Sequence, residues 1–345
     1  MAYTTIDNGE ENFNTILWSG NGNDDRNLTG VGFAPDWVWI QARTGSHNNY
    51  AYDSSRGANK QIIPAESNAE SDTANKMQAF QSDGFQVGSS DETNKSTSTY
   101  VAWNWKANGG TTSSNSDGGI TSTVQANTTA GFSIVTYTGT GSATTVGHGL
   151  GATPKLVIVK ERGNGNSWLV QSNLFSSTNF VTFFNRSDTG GDNDSTTFNG
   201  TFPTSSVFSV GTHTGTNRSS GTYVAYCFAN IKGYSKIGTY KGNNSADAPF
   251  IHTGFKPAWF LAKDLGSGNA WLILDNKRDD VNPVDLCLLA DNSAAESDEP
   301  DQADFLSNGI KLRANNSDAR QSNNDGNTYI YMAFAEHPFV SSKGV

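Results

Sequence analysis

Two aspartates of this sequence each precede an arginine by three positions, a spacing that could serve either chemistry or structure. Asp53 is followed by Arg56, and Asp275 by Arg278. Glycosidases use two carboxylates at a fixed separation, so these aspartates could take part in catalysis or bind a sugar. The alternative is a structural ion pair between a strand end and the following turn. We predict this structural role for both pairs, because charge-assisted hydrogen bonds between aspartate and arginine are strong.

A second acidic segment is the best candidate for a metal site. Asp188, Asp192 and Asp194 surround two glycines, and such oxygen-rich loops can bind Ca²⁺. The segment lacks the spacing and the glutamate of an EF-hand loop, so we predict a hairpin tip stabilised by Asx turns. The histidines are scattered, and no Gly-x-Ser-x-Gly motif supports a catalytic triad. We therefore expect no cofactor and no enzymatic activity.

The eight tryptophans are the remaining candidates for a binding surface, because aromatic faces can stack on sugar rings. Most of them lie inside strand-like runs, where packing in the core explains them. Trp18 and Trp39 are the two positions that we predict to be exposed, and there we expect contact with a glycan or a protein partner.

The same three motifs occur three times along the chain, always in the same order. An aromatic residue followed by a turn sequence begins each unit, at Trp18, Tyr137 and Tyr240. A proline 17 residues later opens an apolar run, at Pro35, Pro154 and Pro257. A threonine and a tyrosine open the closing motif, at residues 99–103, 222–226 and 328–332. Such fixed spacing indicates a tandem repeat. Enzymes usually have one active site, so triplication favours a binding or structural protein.

Short strands separated by Gly- and Asn-rich turns predict an all-β protein built from three tandem, jelly-roll-like β-sandwich modules. The modules are expected at residues 1–106, 131–230 and 231–345, with a Gly/Ser/Thr-rich linker at 107–130. The joint at 229–233 is short, so modules 2 and 3 should form one rigid body while module 1 docks separately. Short helices are possible at residues 65–80 and 293–298. The closing motifs should place Trp103, Tyr226 and Met332 in the core.

Composition excludes several classes of function. The net charge is −10 and no run of basic residues is present, which argues against nucleic acid as a partner. No stretch approaches 18 apolar residues, so no membrane insertion is expected. The first residues lack the basic and apolar regions of a signal peptide. A protein assembled in a cytoplasm is therefore expected.

Several phrases resemble a family of repetitive structural proteins of marine tailed bacteriophages, including cyanophages. The phrases that carry the resemblance are residues 35–40, 53–57, 82–85, 100–106, 146–151 and 275–279. The resemblance covers essentially the whole chain and implies a virion structural protein resembling a tail fibre. It brings no set of catalytic residues with it.

From this resemblance we expect a protein of the virion exterior, acting as a tail-fibre or host-attachment adhesin. Its partners would be other virion proteins and a host glycan or receptor. A homo-oligomer is expected, with a trimer favoured. The alternatives are a capsid decoration protein, a glycan depolymerase and a free lectin-like module.

Overall fold

The computed structural model describes residues 4–187, 191–313 and 322–337, and strands dominate it. Within these ranges the helical elements are a 3₁₀ turn, η1 (Gly9–Glu11), and two one-turn helices, α1 (Asp91–Asn94) and α2 (Thr214–Asn217). The predicted all-β class is therefore confirmed. No helix in these ranges is both long and apolar enough to cross a membrane.

The strands fall into three sets that follow the sequence repeats. Repeat 1 contains β1 (Phe13–Ser19), β2 (Arg26–Thr29), β3 (Trp37–Ala42), β4 (Tyr50–Asp53), β5 (Lys60–Gln61), β6 (Ser71–Asp72), β7 (Met77–Gln81), β8 (Gly84–Val87) and β9 (Thr99–Trp105). Repeat 2, with the segment before it, contains β10 (Ser113–Asn115), β11 (Ser122–Asn127), β12 (Phe132–Thr138), β13 (Thr144–Gly147), β14 (Leu156–Glu161), β15 (Leu169–Gln171), β16 (Phe180–Phe183), β17 (Asp192–Asn193), β18 (Val207–Val210) and β19 (Thr222–Phe228). Repeat 3 contains β20 (Ser235–Lys241), β21 (Phe250–His252), β22 (Lys256–Asp264), β23 (Leu272–Asp275), β24 (Val284–Leu289), β25 (Ser297–Leu306), β26 (Gly309–Leu312) and β27 (Thr328–His337).

One strand order recurs in all three repeats. The large sheets run β1-β9-β3-β4, β12-β19-β14-β15 and β20-β27-β22-β23, so the closing strand of each repeat always lies between the first strand and the proline strand. The pairing register is also shared. Trp103 lies opposite Trp39, Tyr226 opposite Ile158, and Met332 opposite Leu261. The three sequence motifs are thus three neighbouring strands of one sheet.

The large sheets are buried on both faces. In β3 the side chains of Trp37 and Trp39 belong to a core shared by all three repeats. Val38 and Ile40 point the opposite way, because side chains alternate along a strand, and they join a local core with Leu28 of the small sheet β2-β8-β7. Repeat 2 has a similar local core, while in repeat 3 the two cores merge. Alternation of polar and apolar residues is therefore absent from these strands.

Three aromatic rings from the three closing strands meet at the centre of the shared core. Trp105, Phe228 and Phe334 occupy the same register position in β9, β19 and β27. Their ring centroids lie 6.4 Å apart for Trp105 and Phe228, 5.8 Å for Trp105 and Phe334, and 6.3 Å for Phe228 and Phe334. Each ring thus contacts both of its equivalents. The repeats are arranged around this triangle with pseudo-threefold symmetry.

The shared core corrects the expectation that module 1 docks separately from a rigid pair of modules 2 and 3. Phe13 of repeat 1 packs on Phe334 of repeat 3 at 5.0 Å, and Trp37 packs on Tyr226 of repeat 2 at 4.6 Å. Repeat 1 therefore contributes to the common core, as the other two repeats do.

The segment 107–130 was predicted to be a linker, and the structure corrects this as well. It contains β10 and β11, and β11 pairs with β12 of repeat 2. The carboxylate of Asp36 accepts hydrogen bonds from the backbone amides of Ala107, Gly109 and Gly110 at 2.7, 2.9 and 2.7 Å. A carboxylate that accepts hydrogen bonds from several backbone amides orders a Gly-rich turn. The composition of the segment alone does not reveal such a contact.

The two predicted helices are also absent from the structure. Residues 65–80 contain β6 and most of β7, and residues 293–298 lead into β25. Glu70 and Glu296, which lie in these segments, donate their backbone amides to the carbonyls of Arg162 and Arg43 in another repeat, at 2.8 and 2.9 Å. These contacts override the local helix propensity.

We predict that the three repeats unfold together. Trp105 is 1% exposed. The variant Trp105→Ala should therefore lower the free energy of unfolding by about 3–5 kcal/mol, because a large buried side chain is lost. Denaturant unfolding followed by circular dichroism should still give a single transition. Val281→Ala, at a position that is 67% exposed, is the control and should leave the midpoint in place. Separate transitions for separate repeats would contradict a shared core.

Candidate functional site

The two predicted Asp–Arg pairs lie at the ends of β4 and β23, inside the protein. Nε of Arg56 donates to Oδ2 of Asp53 at 2.5 Å, and Nε of Arg278 donates to Oδ2 of Asp275 at 2.6 Å. Each arginine also donates its backbone amide to the same carboxylate, at 2.9 Å in both pairs. All four side chains are 0% exposed. A polymer in solution has no access to these carboxylates, so they cannot act on a glycan in this structure.

Each of these carboxylates also binds a residue of a neighbouring repeat. Nε1 of Trp103 in repeat 1 donates to Asp275 of repeat 3 at 3.0 Å. The hydroxyl of Tyr226 in repeat 2 donates to Asp53 of repeat 1 at 2.7 Å. Trp103 and Tyr226 occupy equivalent positions, so these are two copies of one contact. The Asp–Arg pairs therefore join repeats as well as stabilise turns.

A glutamate extends each pair into a cluster that spans two repeats. Glu70 accepts from Arg56 at 2.9 Å and from Nε of Arg162, in repeat 2, at 2.8 Å. In the equivalent cluster, Glu296 accepts from Arg278 at 2.9 Å and from Nη2 of Arg43, in repeat 1, at 2.8 Å. Two arginines facing one glutamate keep the buried charges paired, as burial requires.

The charges of this cluster shift the pKa values of its members in directions that preserve it. Burial opposes the charge on Arg56, but the neighbouring Asp53 and Glu70 outweigh it and hold the pKa of the guanidinium above its usual value. Burial raises the pKa of Tyr226 well above its usual value. Its hydroxyl therefore stays protonated and able to donate to Asp53.

The third interface, between repeats 3 and 2, has uncharged residues at the same positions. Met332 takes the place of Trp103 and Tyr226, and the pairing register of β14 and β15 places Ser172 and Phe175 where the other repeats have aspartate and arginine. Leu265 takes the place of Arg43 and Arg162. A methionine has no hydrogen to donate, so an aspartate facing it would lose one of its partners. At this interface the hydrogen-bond donor, the aspartate and the arginine are therefore all absent together.

These replacements leave a cleft of about 390 Å³ between repeats 2 and 3. Its apolar wall consists of Leu174, Phe175, Phe180 and Leu265, and Asn327 lies on its polar side. The rings of Phe175 and Phe180 meet edge to face at 5.0 Å. The cleft lies at the interface that lacks the Asp–Arg pair.

One hydrogen bond is common to all three interfaces. Nε1 of Trp168 donates to the carbonyl of Ile63 at 3.0 Å, and Nε1 of Trp271 donates to that of Phe183 at 2.8 Å. In repeat 1 the equivalent residue is Asn49, whose amide donates to the carbonyl of Ala290 at 2.9 Å. The donors run from repeat 2 to 1, from 3 to 2 and from 1 to 3. This cyclic order closes the ring of repeats.

The structure corrects the prediction that Trp18 and Trp39 are exposed. Trp39 is 0% exposed and Trp18 is 7% exposed. Trp18 stacks on Tyr100 at 5.3 Å and donates its Nε1 to the carbonyl of Thr93 at 3.1 Å. Neither indole can stack on a glycan in this structure.

Tyr137 and Tyr240 make the same contacts as Trp18 in their own repeats. They stack on Tyr223 and Tyr329 at 4.9 and 4.7 Å, and each hydroxyl donates to a backbone carbonyl. The aromatic residue that begins each repeat is therefore an internal anchor for the first strand.

The acidic candidate for calcium also has a structural role where it can be described. Asp194 accepts a hydrogen bond from the backbone amide of Thr196 at 2.7 Å, as expected for an Asx turn, and from the hydroxyls of Thr196 and Thr197, both also at 2.7 Å. Asp188 lies outside the described residues. Asp192 and Asp194 line a cavity of about 220 Å³ together with the basic groups of Arg186 and His213. No group of metal-ligating side chains suited to an ion is found in the part of the chain that the structure describes.

Residues 8–338 match the family described as Domain of unknown function (DUF7483), and the chain therefore belongs to that family. The match spans all three repeats, so the unit of the family is the whole ring of repeats and not one repeat. Neither the curated proteins nor the solved structures contain a match to this chain.

We predict that the indole hydrogen bond of Trp103 stabilises the fold beyond the packing of its ring. Trp103→Phe should lose about 1–3 kcal/mol more of the free energy of unfolding than Trp259→Phe, because only the former removes a donor from a buried carboxylate. Both indoles are fully buried, and Nε1 of Trp259 makes no hydrogen bond to the described residues. Urea denaturation of the two variants measures the difference. Equal losses would show that the contact with Asp275 adds nothing.

We predict that Glu70 makes stability depend on pH in the acidic range. Burial raises the pKa of Glu70, but Arg162 and Arg56 outweigh it and hold the pKa below the ordinary 4.5. A carboxylate with a lowered folded pKa contributes stability above its unfolded pKa, and that contribution is lost as pH falls through the folded pKa. Stability should therefore decline below pH 4.5 less steeply in Glu70→Gln than in the wild type, as thermal unfolding at a series of pH values would show. The exposed Glu11→Gln serves as the control and should keep the wild-type slope.

Proposed function

We propose that this member of the DUF7483 family is a non-enzymatic structural protein of the exterior of a tailed bacteriophage particle. Its first candidate role is that of a tail-fibre or host-attachment protein, assembled in the host cytoplasm. The resemblance of several sequence segments to phage structural proteins supports this role. Asp53 and Asp275, the candidate catalytic carboxylates, bind arginines inside the protein, and this also supports a non-enzymatic role.

The observation that carries the proposal is the ring of three repeats around Trp105, Phe228 and Phe334. Three related units, which we propose to be two-layered sandwiches, present three related outer surfaces around one pseudo-axis. Closed symmetric assemblies bind most simply to partners with the same symmetry. A ring of this kind therefore suits a threefold site, such as a trimeric fibre or a threefold position on a capsid.

Capsid decoration is the second candidate, and the internal ring specifically favours it. A homotrimer was predicted from the sequence, but one chain here already brings three related units around an axis. A single copy could therefore occupy one threefold position of a capsid lattice. In this role the chain would bind other virion proteins, and a host receptor would not be needed.

The depolymerase alternative is not favoured by the geometry. Two carboxylates that flank a glycosidic bond have to reach the substrate, whereas Asp53 and Asp275 are 0% exposed. A sugar-binding role for Trp18 or Trp39 is disfavoured for the same reason. Any receptor or glycan would have to bind loops and strand edges on the outside of the ring.

We predict that the protein is accessible on the outside of intact phage particles. An amine reagent that cannot enter the head should label its exposed lysines before the particle is opened, and mass spectrometry identifies the labelled sites. A protein known to lie inside the head is the control and should be labelled only after opening. Electron microscopy with an antibody fragment against the chain then separates tail from head placement. Labelling that appears only after opening would contradict the proposal.

A further inference from the structure

The three repeats differ in what pairs with the outer edge of the first strand. In repeat 2 the edge of β12 is covered, because β11 pairs with it antiparallel and places Gln125 opposite Ile134 and Thr123 opposite Thr136. This added strand belongs to the segment just before the repeat. The chain thus contains its own example of a strand that extends a large sheet at this edge.

In repeat 3 the same edge is partly occupied by side-chain and backbone groups. The side chain of Asn230 accepts from the amide of Ile237 at 2.7 Å and donates to its carbonyl at 3.1 Å. The backbone of Ile231 bridges to Ser235. An asparagine amide that satisfies both groups of one residue mimics a neighbouring strand, which is a known way to protect an edge.

In repeat 1 no strand of the described residues covers the edge of β1, and at its far end Nη1 of Arg26 donates to the carbonyl of Ser19 at 2.6 Å. Gly20, just after β1, donates its amide to the carbonyl of Ser98, beside β9. Bonding alternates along a strand, so Thr15 and Leu17 direct their backbone groups away from β9. The amide of Thr15 is bonded to the adjacent side chain of Asn14 at 2.8 Å. No strand in the described part of the chain pairs with this side of β1.

The side chains of β1 are also less covered than those of β12. Leu17 is 39% exposed and is one of the few large apolar side chains at the surface of the described residues. Its equivalent in β12 is Thr136, which is partly buried beside β11. Ile16 is likewise partly exposed, whereas the equivalent Val135 is fully buried. An exposed apolar edge strand is a template for pairing with another chain.

We propose that β1 accepts an extended segment of a partner protein by antiparallel strand addition, in the register that β11 uses on β12. Main-chain hydrogen bonds to Leu17 and to the carbonyl of Thr15 would supply binding, and a valine opposite Ile16 would be buried, as Val124 is opposite Val135. The occupant resembles residues 122–127, an uncharged run of small polar residues with a valine facing the local core.

A second copy of this chain fits the edge less well than such a segment. Antiparallel pairing of two β1 strands would bring the turn after Ser19 of one copy beside the start of β1 in the other. Asp24 and Asp25 would then approach Glu11, as well as Glu10, whose carboxylate is paired with Lys277 at 3.2 Å. Like charges oppose that arrangement, and an uncharged partner avoids the repulsion.

A labelled peptide with the sequence of residues 120–128 tests the proposal on the purified full-length chain, without any phage particle. We expect saturable binding in fluorescence anisotropy, and binding about tenfold weaker to Leu17→Pro. Proline at this position removes only an outward amide, so the pairing with β9 is kept. Thr239→Pro, at the equivalent position of β20 beside the edge that Asn230 occupies, is the matched control and should bind as the wild type does.

Hydrogen exchange on the wild-type chain provides a readout that does not depend on folding of the variants. The peptide should slow exchange of the Leu17 amide and leave that of Thr239 unchanged. Absence of binding, or equal binding to Leu17→Pro, would overturn the proposal. A dimer of the free chain that Leu17→Pro dissociates in sedimentation would instead identify a second copy as the occupant and also overturn it. Since the site belongs to the purified chain, these results are distinct from the outcome of labelling on the particle.

Discussion

The structure depends on the burial of three aromatic side chains, Trp105, Phe228 and Phe334, against one another. Each comes from the closing strand of a repeat, and that strand lies inside its sheet with neighbours on both sides. Because the large sheets are apolar on both faces, a repeat with one small covering sheet would leave its second face in water. Burying each aromatic side chain contributes roughly 1.5–3 kcal/mol. Association of the three inner faces is therefore the arrangement that satisfies all of them at once.

An apolar centre of this kind holds the repeats together but does not by itself fix their relative rotation. The polar contacts at the interfaces fix the relative rotation of the repeats. Trp168, Trp271 and Asn49 each donate to a carbonyl of the preceding repeat in the ring. At two interfaces a buried aspartate with its arginine adds a second contact. Buried charges tolerate only a narrow geometry, since each unpaired group is costly, so these contacts select one orientation.

The third interface lacks this network. A buried Asp–Arg pair that loses its donor leaves a charge with too few hydrogen bonds, whereas replacing all partners with apolar groups can be nearly neutral. Met332, Ser172 and Phe175 stand together where the other interfaces have a donor, an acid and a base. The apolar side chains do not fill the space, and the cleft beside Leu265 results. The buried polar groups of the interior thus serve contacts between the repeats.

Local sequence patterns predict the all-β class, the repeat and many of its strands. The spacing between the first aromatic residue and the proline is a local property, because it reflects the length of the first two strands and their turns. The same information predicted the Asp–Arg pairs of residues 53 and 56 and of residues 275 and 278, since both partners lie within one turn.

The arrangement of the repeats and the burial of particular side chains depend on contacts that form in the folded protein. Trp39 lies between two apolar residues on its strand. The local sequence therefore does not show whether its side chain faces solvent or another repeat. Residues 107–130 have the composition of a linker, yet Asp36 and the edge of β12 order them from a distance. Burial and strand addition depend on contacts between residues far apart in the chain, and no local pattern of residue types encodes those contacts.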